Sequence, residues 1–267
     1  MLRLDWRQRP AGALLQSAML CAMLDLSRIR AISLDLDDTL WPVLPTLKAA
    51  EAAQHAFLSS HAPATATLLQ DKEVAHEIRQ SIRSDFAHLA HDMTHFRQQF
   101  IRRGLQRAGD DAALVEPTFA AFYAGRNQVT LFTEVLDSLQ WLAARYPLVA
   151  VSNGNARLDY VGLAPLFAAS ASAGEVGAAK PDPRIFNAAA QVAQQPLGAF
   201  LHVGDDAALD VVGALACGMQ AAWVQRQELD YHQRADATGQ LQWQLDSAAP
   251  AVMVTDCPAS TLLISSS

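Results

Sequence analysis

Short apolar runs that end in polar residues constrain the fold of this chain more than any other feature. Residues 28–36 (RIRAISLDL) have an apolar centre and lead directly into acidic residues. Residues 148–152 (LVAVS) run into the turn sequence NGN, and residues 200–203 (FLHV) run into GDD. Runs of this kind are typical of strands that are buried on both faces of a parallel sheet.

Helical patterns separate these runs. They cover residues 133–146, 183–194 and 207–217, while residues 221–224 form a fourth strand-like run and 168–171 a weaker one. Strands that alternate with helices indicate a parallel sheet covered on both faces. The sequence therefore predicts an α/β fold with a Rossmann-like parallel sheet, which binds ligands beyond the carboxyl ends of its strands.

The stretch from about residue 45 to residue 127 contains no strand-like run, and long helical patterns fill it. We predict a four-helix insertion with helices over 48–60, 68–89, 94–108 and 112–124. The predicted division of the chain is an N-terminal extension over 1–27, an α/β core over 28–44 and 128–267, and the helical insertion over 45–127.

Charge and composition exclude several classes of function. A net charge of −7 argues against a general nucleic-acid binder, which needs a basic face. Three cysteines, Cys21, Cys217 and Cys257, match no zinc motif, so we expect free thiols in a reducing cytoplasm.

An apolar run over 11–24 resembles a secretory signal, but no suitable cleavage site follows it and it is too short to span a membrane. We interpret it as an extra helix or an over-extended start, and the sequence carries no prediction of oligomeric state.

Polar side chains follow three of the predicted strands at the points where the strands end. In a parallel sheet these ends meet at one edge, so the side chains there should lie close together. Lys180, in a loop before a predicted helix, is expected to join them. The expected group consists of Asp35, Asp37, Asp38 and Thr39 at the end of the first strand, Ser152 at the end of the second, and Asp205, Asp206 and Asp210 after the third.

Crowded carboxylates cannot all stay ionised without a cation. Mg²⁺ prefers oxygen ligands, and Asp35 and Asp205 are its natural side-chain ligands, with the backbone carbonyl of Asp37 as a candidate third. Asp35 can attack phosphorus as a nucleophile, and Asp37 can protonate the leaving alcohol and later activate water. We therefore predict a Mg²⁺-dependent phosphomonoester hydrolase that forms a phosphoaspartate on Asp35 and acts on a small phosphorylated metabolite. The phosphoryl oxygens would be held by Ser152, Lys180 and the backbone N–H groups around Asn153 and Gly154.

Four motifs resemble those of the haloacid dehalogenase-like hydrolase superfamily. They are DLDDT at 35–39, SNG at 152–154, KPDPRIF at 180–186 and HVGDDAALDVVGALACGM at 202–219. The resemblance implies that Asp35 is the nucleophile, Asp37 the acid and base, and Lys180 the residue that stabilises the phosphoryl intermediate. It also implies that Asp205 is a metal ligand, that Asp206 and Asp210 are further acids on the metal side, and that the helical insertion is the family's cap.

Longer stretches resemble a cytoplasmic bacterial branch of the superfamily that includes phosphatases of flavin mononucleotide and of 5-amino-6-(5-phospho-D-ribitylamino)uracil. These stretches are 28–41, 147–156, 201–224 and, in the insertion, 91–97 (HDMTHFR). The resemblance implies a cytoplasmic enzyme that prefers flavin-pathway esters, with Thr94 and Arg97 as substrate contacts.

Several alternatives stay open at this point. A sugar-phosphate phosphatase or a phosphomutase would use the same residues, whereas a dehalogenase would not need Asp37 because a halide leaves without a proton. A non-catalytic relative that binds phosphometabolites would be expected to lack Asp35, Asp37 or Lys180, and all three are present.

Two groups of histidines need interpretation. His88, His91 and His95 are spaced so that they could bind a metal on one helical face, but a solvated or substrate-facing surface is the preferred interpretation. His202 lies inside an apolar run and is expected to be a core residue whose ring nitrogens find partners.

Overall fold

The computed structural model describes residues 24–226 and 252–257 of the chain. The predictions for the first 23 residues, including the extra helix, lie outside this part, as does Cys21. Within it, six parallel strands form one sheet in the order β3-β2-β1-β4-β5-β6, which confirms the predicted α/β fold. The strands are β1 Ala31–Leu34, β2 Leu148–Ser152, β3 Ala169–Ser172, β4 Phe200–Gly204, β5 Gln220–Arg226 and β6 Val252–Cys257.

The register of the central strands brings their carboxyl ends level. Leu34, the last residue of β1, pairs with Ala150 of β2 on one side and with Val203 of β4 on the other. The N–H of Asp35 continues this ladder by donating to the carbonyl of Val203 at 2.9 Å. The loops that follow β1, β2 and β4 therefore open onto the same crevice.

Helices cover both faces of the sheet, and the alternation of side chains along β1 shows the two layers. Ile32 and Leu34 pack with Leu139 on one face, while Ala31 packs with Phe186 on the other. Ser33 points to the second face and is fully buried, so it needs a polar partner there. The helices of the core are α6 Val135–Ala143, α7 Leu158–Val161, α8 Ala173–Val176, α9 Pro183–Ala193 and α10 Gly213–Ala216, the last preceded by a π-helical turn at Ala207–Val212.

The insertion between β1 and α6 contains five α-helices, not the four that we predicted. The predicted helix over 68–89 is interrupted at Asp71, whose carboxylate accepts the N–H groups of Glu73 and Val74 and so begins a new helix. This helix ends at Asp85, and Ala87–Leu89 form a separate 3-10 turn. The five helices are α1 Val43–His61, α2 Pro63–Gln70, α3 Lys72–Asp85, α4 Met93–Ala108 and α5 Val115–Arg126.

The break between the end of α3 at Asp85 and the start of α4 at Met93 decides the arrangement of the three spaced histidines. His88 lies in the 3-10 turn, His91 lies between elements, and His95 lies in α4. They therefore share no continuous helical face, and the alternative of a metal site on one face was wrong. In the described part of the chain, the group whose geometry could hold a metal ion contains none of them.

The first and last helices of the insertion approach each other very closely. A Cβ atom added to Gly125 of α5 would lie 2.8 Å from the Cα atom of Ala50 of α1, so only glycine fits there. This contact fixes the end of α5 beside the start of the insertion. Small clusters of buried side chains, which include Leu58 and Ile82, complete the interior of the insertion.

Within the described ranges, no helix combines the length and the apolar composition that a membrane span needs.

Candidate active site

The loop after β1 carries four predicted site residues and is held by its own side chains. Asp38 adopts a left-handed backbone conformation with φ of 58°, and its carboxylate accepts the N–H of Val43 at 2.8 Å. It thereby caps the start of α1. Asp35 and Asp37 flank Leu36, whose side chain packs into the core and anchors this part of the loop.

Lys180 lies in the crevice beside Asp35. Its ammonium group donates to Oδ1 of Asp35 and to Oδ1 of Asp210, the latter at 2.6 Å. Only 4 % of Lys180 is exposed, so the ion pairs are formed away from water. Asn153 holds the lysine backbone, because its side chain accepts the N–H of Lys180 at 2.7 Å and donates to the Lys180 carbonyl at 3.1 Å. The side chain of Asn153 therefore positions Lys180, a contact that sequence reasoning missed.

Burial and charge act together on the ionisation of these groups. Burial raises the pKa of Asp35 well above its usual value, and Lys180 opposes this effect. Burial by itself would lower the pKa of Lys180, but Asp210 and Asp35 outweigh it and raise that pKa. Burial would likewise raise the pKa of Asp210, but Lys180 outweighs it and lowers that pKa. The lysine is therefore a firmly charged ammonium group that cannot by itself neutralise all the surrounding carboxylates.

Three buried carboxylates form a group that could hold a metal ion. One carboxylate oxygen from each of Asp35, Asp205 and Asp210 lies within 4.8 Å of the other two. The hydroxyl of Thr39 donates to Oδ1 of Asp205 at 3.2 Å, and the Asp205 carbonyl accepts the indole N–H of Trp223 at 2.9 Å. Because all the donors are hard oxygen atoms and negative charge is in excess, the group suits a divalent cation such as Mg²⁺.

Asp206 stands apart from this group. Its Oδ1 atom accepts the N–H groups of Ala208 and Leu209 at 2.9 and 3.0 Å and caps the π-helical turn. Asp210 comes one turn later and points back, because its Oδ2 accepts the N–H of Asp206 at 3.0 Å. The two acids that the resemblance placed on the metal side thus have different surroundings: Asp210 lies in the carboxylate group, and Asp206 holds the turn that presents Asp205.

His202 is the buried partner of both Ser33 and Asp210. Its Nδ1 atom lies 2.8 Å from the Ser33 hydroxyl, and its Nε2 atom lies 3.1 Å from Oδ1 of Asp210. A carboxylate only accepts, so Nε2 carries the hydrogen and Ser33 donates to Nδ1. Burial lowers the pKa of His202, which favours this neutral tautomer. The expected core histidine thus connects the sheet to Asp210, and through Asp210 to Lys180.

Asp37 is held by two donors from different parts of the chain. Trp41 donates its indole N–H to Oδ1 at 2.8 Å, and Arg126, at the end of α5, donates from Nη2 to Oδ2 at 2.5 Å. Gly154 lies against this pair, since an added Cβ would come within 2.6 Å of Oδ2 of Asp37 and 3.3 Å of the Ser152 hydroxyl. The Gly154 N–H donates to that hydroxyl at 3.0 Å. Sequence reasoning gave no role to either donor: Trp41 ends the matched stretch 28–41 but lies outside its DLDDT motif, and Arg126 lies outside every matched stretch.

A cavity of about 610 Å³ opens next to Ser152 and Gly154, between the core and the insertion. Thr94, a predicted substrate contact, lines it and accepts a hydrogen bond from Asn155 at 3.2 Å. Arg97 is not among the described residues that line it. Its guanidinium lies 4.0 Å from the centre of the Phe122 ring and 3.3 Å from Glu51, so the structure separates it from Thr94.

Comparisons with known proteins place the chain among related hydrolases. The family model for haloacid dehalogenase-like hydrolases matches residues 29–218. The chain is 33% identical over 216 residues to the 5-amino-6-(5-phospho-D-ribitylamino)uracil phosphatase YigB of Escherichia coli strain K12, which covers 79% of this chain and 90% of that protein. It is also 32% identical over 137 residues to a phosphoserine phosphatase of Thermus thermophilus, covering 49% of this chain and 55% of that protein.

A solved structure is similar over most of the chain. The 2-haloacid dehalogenase from Pseudomonas syringae pv. tomato DC3000 superposes with a TM-score of 0.70 at 34% sequence identity, covering 76% of this chain and 90% of that protein. The matched family model covers the four motifs except for the last residue of the fourth, Met219, and the sheet places those motifs at one edge. The chain therefore belongs to the haloacid dehalogenase-like hydrolases.

Proposed function

We propose that this hydrolase is a phosphatase that transfers the phosphoryl group of a small metabolite to Asp35 and then to water. The observation that carries the proposal is the buried Asp35 carboxylate, which touches Lys180 and lies two residues before a second, independently held carboxylate at Asp37. A nucleophile, a fixed cation and a separate acid are the three groups that such a transfer requires. Two relatives named as phosphatases support it.

Each site residue has a defined role in the two phosphoryl-transfer steps. The Asp35 carboxylate attacks phosphorus and forms an acyl phosphate as the bond from phosphorus to the alcohol oxygen breaks. Asp37 gives its proton to that departing oxygen, and then takes a proton from the water that attacks the phosphoaspartate. This second attack releases inorganic phosphate and restores Asp35. Lys180 and the Ser152 hydroxyl, with the backbone N–H groups around Asn153 and Gly154, hold the phosphoryl oxygens throughout.

A Mg²⁺ ion belongs to this proposal because the donor group fits it. Asp35 and Asp205 would hold the ion with their carboxylates and Asp37 with its backbone carbonyl, while Asp210 and Asp206 support the site. When bound, the ion offsets negative charge on the carboxylates and on the phosphoryl oxygens. The crowding of three buried carboxylates around one ammonium group supports this need for a further cation.

The acid at position 37 favours a phosphatase over a dehalogenase. A halide ion leaves without a proton, whereas an alkoxide needs one, so only the phosphatase uses a held acid at this position. The 2-haloacid dehalogenase of Pseudomonas syringae has a similar fold, and its name describes the reaction of that protein. The held acid at position 37 of this chain favours phosphoryl transfer.

The charge of the cavity favours a leaving group that is neutral and rich in hydroxyls. Its described lining carries three carboxylates, Asp92, Asp159 and Glu175, against one guanidinium, that of Arg157. A second phosphate or a carboxylate on the leaving group would be repelled there, which disfavours the bisphosphate that a phosphomutase needs. A riboflavin-pathway ester or flavin mononucleotide fits this requirement, and the Escherichia coli relative is named for the ester 5-amino-6-(5-phospho-D-ribitylamino)uracil. Thr94 is the proposed contact from the insertion, which acts as a cap.

A cytoplasmic location is part of the same proposal. Such metabolites are found in that compartment, and the free thiol of Cys217 is compatible with its reducing conditions. A sugar-phosphate phosphatase with a neutral sugar as leaving group is the nearest alternative, and a substrate panel distinguishes it.

The test measures phosphate release from p-nitrophenyl phosphate with Mg²⁺ and with EDTA. We expect release only with Mg²⁺, and its loss in Asp35→Asn. Asp137→Asn, at an exposed position on α6, is the matched control and should keep full activity. A panel containing flavin mononucleotide, neutral sugar monophosphates, sugar bisphosphates and phosphoglycolate then defines the substrate. Hydrolysis that survives Asp35→Asn would disprove the mechanism, and preference for phosphoglycolate or a bisphosphate would disprove the substrate class.

A further inference from the structure

Arg126 connects the helical insertion directly to the proposed acid. It is the last residue of α5, it is 2 % exposed, and its Nη2 donates to Oδ2 of Asp37 across 89 positions of sequence. Asp37 is the carboxylate with which it forms an ion pair. An arginine buried to this degree is normally found with most of its donors satisfied.

The second terminal nitrogen of the same guanidinium has no such partner in the described part of the chain. Nη1 of Arg126 is buried and has no hydrogen-bond partner among the residues that the structure describes. A buried donor without an acceptor is unfavourable for folding. The placement of Arg126 therefore serves its contact with Asp37 more than it serves the packing of the insertion.

The backbone that carries Arg126 is fixed on two sides. On one side, Gly125 lies against Ala50 of α1, with no room for a side chain. On the other, Asn127 accepts the N–H of Arg157, in the core loop that follows β2, at 2.8 Å. The end of α5 is thus tied both to the insertion and to the core, and the Arg126 side chain has little freedom to move away from Asp37.

The two donors on Asp37 hold different oxygen atoms. Trp41 binds Oδ1 and Arg126 binds Oδ2, so together they fix the plane of the carboxyl group. Each oxygen keeps a second lone-pair direction, in which a proton for the leaving group can be carried. Without Arg126 the carboxyl group would be held by Trp41 alone and could rotate.

We propose that Arg126 is the positioning residue that orients Asp37 for proton transfer to the leaving group, and so makes this step depend on the insertion. The inference rests on the proposed phosphatase function. It assigns no contact between Arg126 and substrate, and the effect of Arg126 on the reaction passes through Asp37.

The basicity of the leaving group provides a test that a merely structural role would not satisfy. The p-nitrophenolate ion is weakly basic and leaves without help, whereas the alkoxide of glycerol 2-phosphate needs the proton from Asp37. For Arg126→Gln we expect kcat/KM on glycerol 2-phosphate to fall about 100-fold, within the range that general acid catalysis supplies. On p-nitrophenyl phosphate we expect a change of less than about threefold. Arg107→Gln, on the exposed surface of α4, is the matched control and should change neither rate.

A double variant separates action through Asp37 from other roles. Asp37→Asn should show the same dependence on leaving group, and adding Arg126→Gln to it should cause no further loss, since the residue that Arg126 positions is already inactive. If Arg126→Gln does not fold, as judged by circular dichroism, Arg126→Lys keeps the charge and displaces it, and should still slow glycerol 2-phosphate selectively.

Three results would overturn the inference. Equal losses on both substrates would assign Arg126 to binding or folding, and unchanged rates on both would show that Asp37 does not need it. Additive losses in the double variant would show that Arg126 acts independently of Asp37. Failure of the unaltered protein to hydrolyse either ester would instead refute the proposed function itself, and the inference with it.

Discussion

Replacement of His202 by phenylalanine tests the buried chain of hydrogen bonds behind the active site. The imidazole is fully buried between Ser33 and Asp210, and it packs edge-on against the Phe186 ring at 5.3 Å. Phenylalanine keeps an aromatic ring at this position, so His202→Phe removes the two hydrogen bonds without leaving a cavity.

The expected loss follows from the two bonds. The bond to Ser33 joins neutral groups and contributes about 1 kcal/mol, and the bond to the Asp210 carboxylate is charge-assisted and contributes about 2 kcal/mol. We therefore expect His202→Phe to lower the free energy of unfolding by about 3 kcal/mol. Ser33→Ala removes only the weaker bond and should cost about 1 kcal/mol. Activity should also fall in His202→Phe, because Asp210 loses a donor that fixes its contact with Lys180.

Urea titrations in the presence of EDTA measure these losses without a contribution from bound metal. His76→Phe is the matched control, since His76 is exposed on α3, and we expect it to change stability by less than about 0.5 kcal/mol. If His202→Phe lost less than about 1 kcal/mol and kept its kcat, the histidine would be an ordinary core residue and the reasoning about Asp210 would be refuted.

Four further predictions follow from individual contacts. Asn153→Ala removes both hydrogen bonds to the Lys180 backbone, so we expect kcat for phosphate release to fall with little change in circular dichroism; an unchanged kcat would show that Lys180 holds its place without Asn153. Gly154→Ala brings a Cβ within 2.6 Å of Asp37 and should slow hydrolysis of glycerol 2-phosphate by about 100-fold in steady-state assays, whereas a normal rate would show that the loop moves aside. Addition of Mg²⁺ should raise the melting temperature of the metal-free protein but not that of Asp205→Asn, and equal shifts would place the ion elsewhere. Because the pKa of His202 is lowered in the folded protein, the unfolded chain binds a proton that the folded protein does not. The stability that His202 contributes is therefore present above the ordinary histidine pKa of about 6.5. It is lost as the pH falls from there through the pKa of the folded protein. In urea titrations at several pH values this loss should be smaller in His202→Phe, and an equal loss in both proteins would contradict it.

The fold was largely predictable because its signals are local. Residues 28–36, 148–152 and 200–203 read as buried strands from their own composition, and each lies on a strand of the sheet. The insertion was harder to predict, since one capping aspartate, Asp71, divided what periodicity alone joined into one helix over 68–89. A cap depends on one side chain and its hydrogen bonds, and an averaged hydrophobic pattern does not detect it.

The candidate site was predictable as far as parallel topology determines it. Asp35 and Asp205 follow two neighbouring parallel strands and Ser152 ends a third, so any sheet of this order brings them to one edge. Parallel topology did not predict that Asp206 lies outside the carboxylate group or that Arg97 lies outside the lining of the cavity. Asp206 caps a turn and Arg97 lies over Phe122, and both outcomes depend on the direction of a side chain on its helix.

The sequence by itself therefore determined five of the six strands, the family and the group of acids at the edge of the sheet, because strand runs and motifs consist of consecutive residues. Only the tertiary structure decided which partners hold those acids: Arg126 on Asp37, His202 on Asp210 and Asn153 on Lys180. Most such partners come from distant segments, and whether they meet depends on how closely helices such as α1 and α5 pack, which no local pattern encodes.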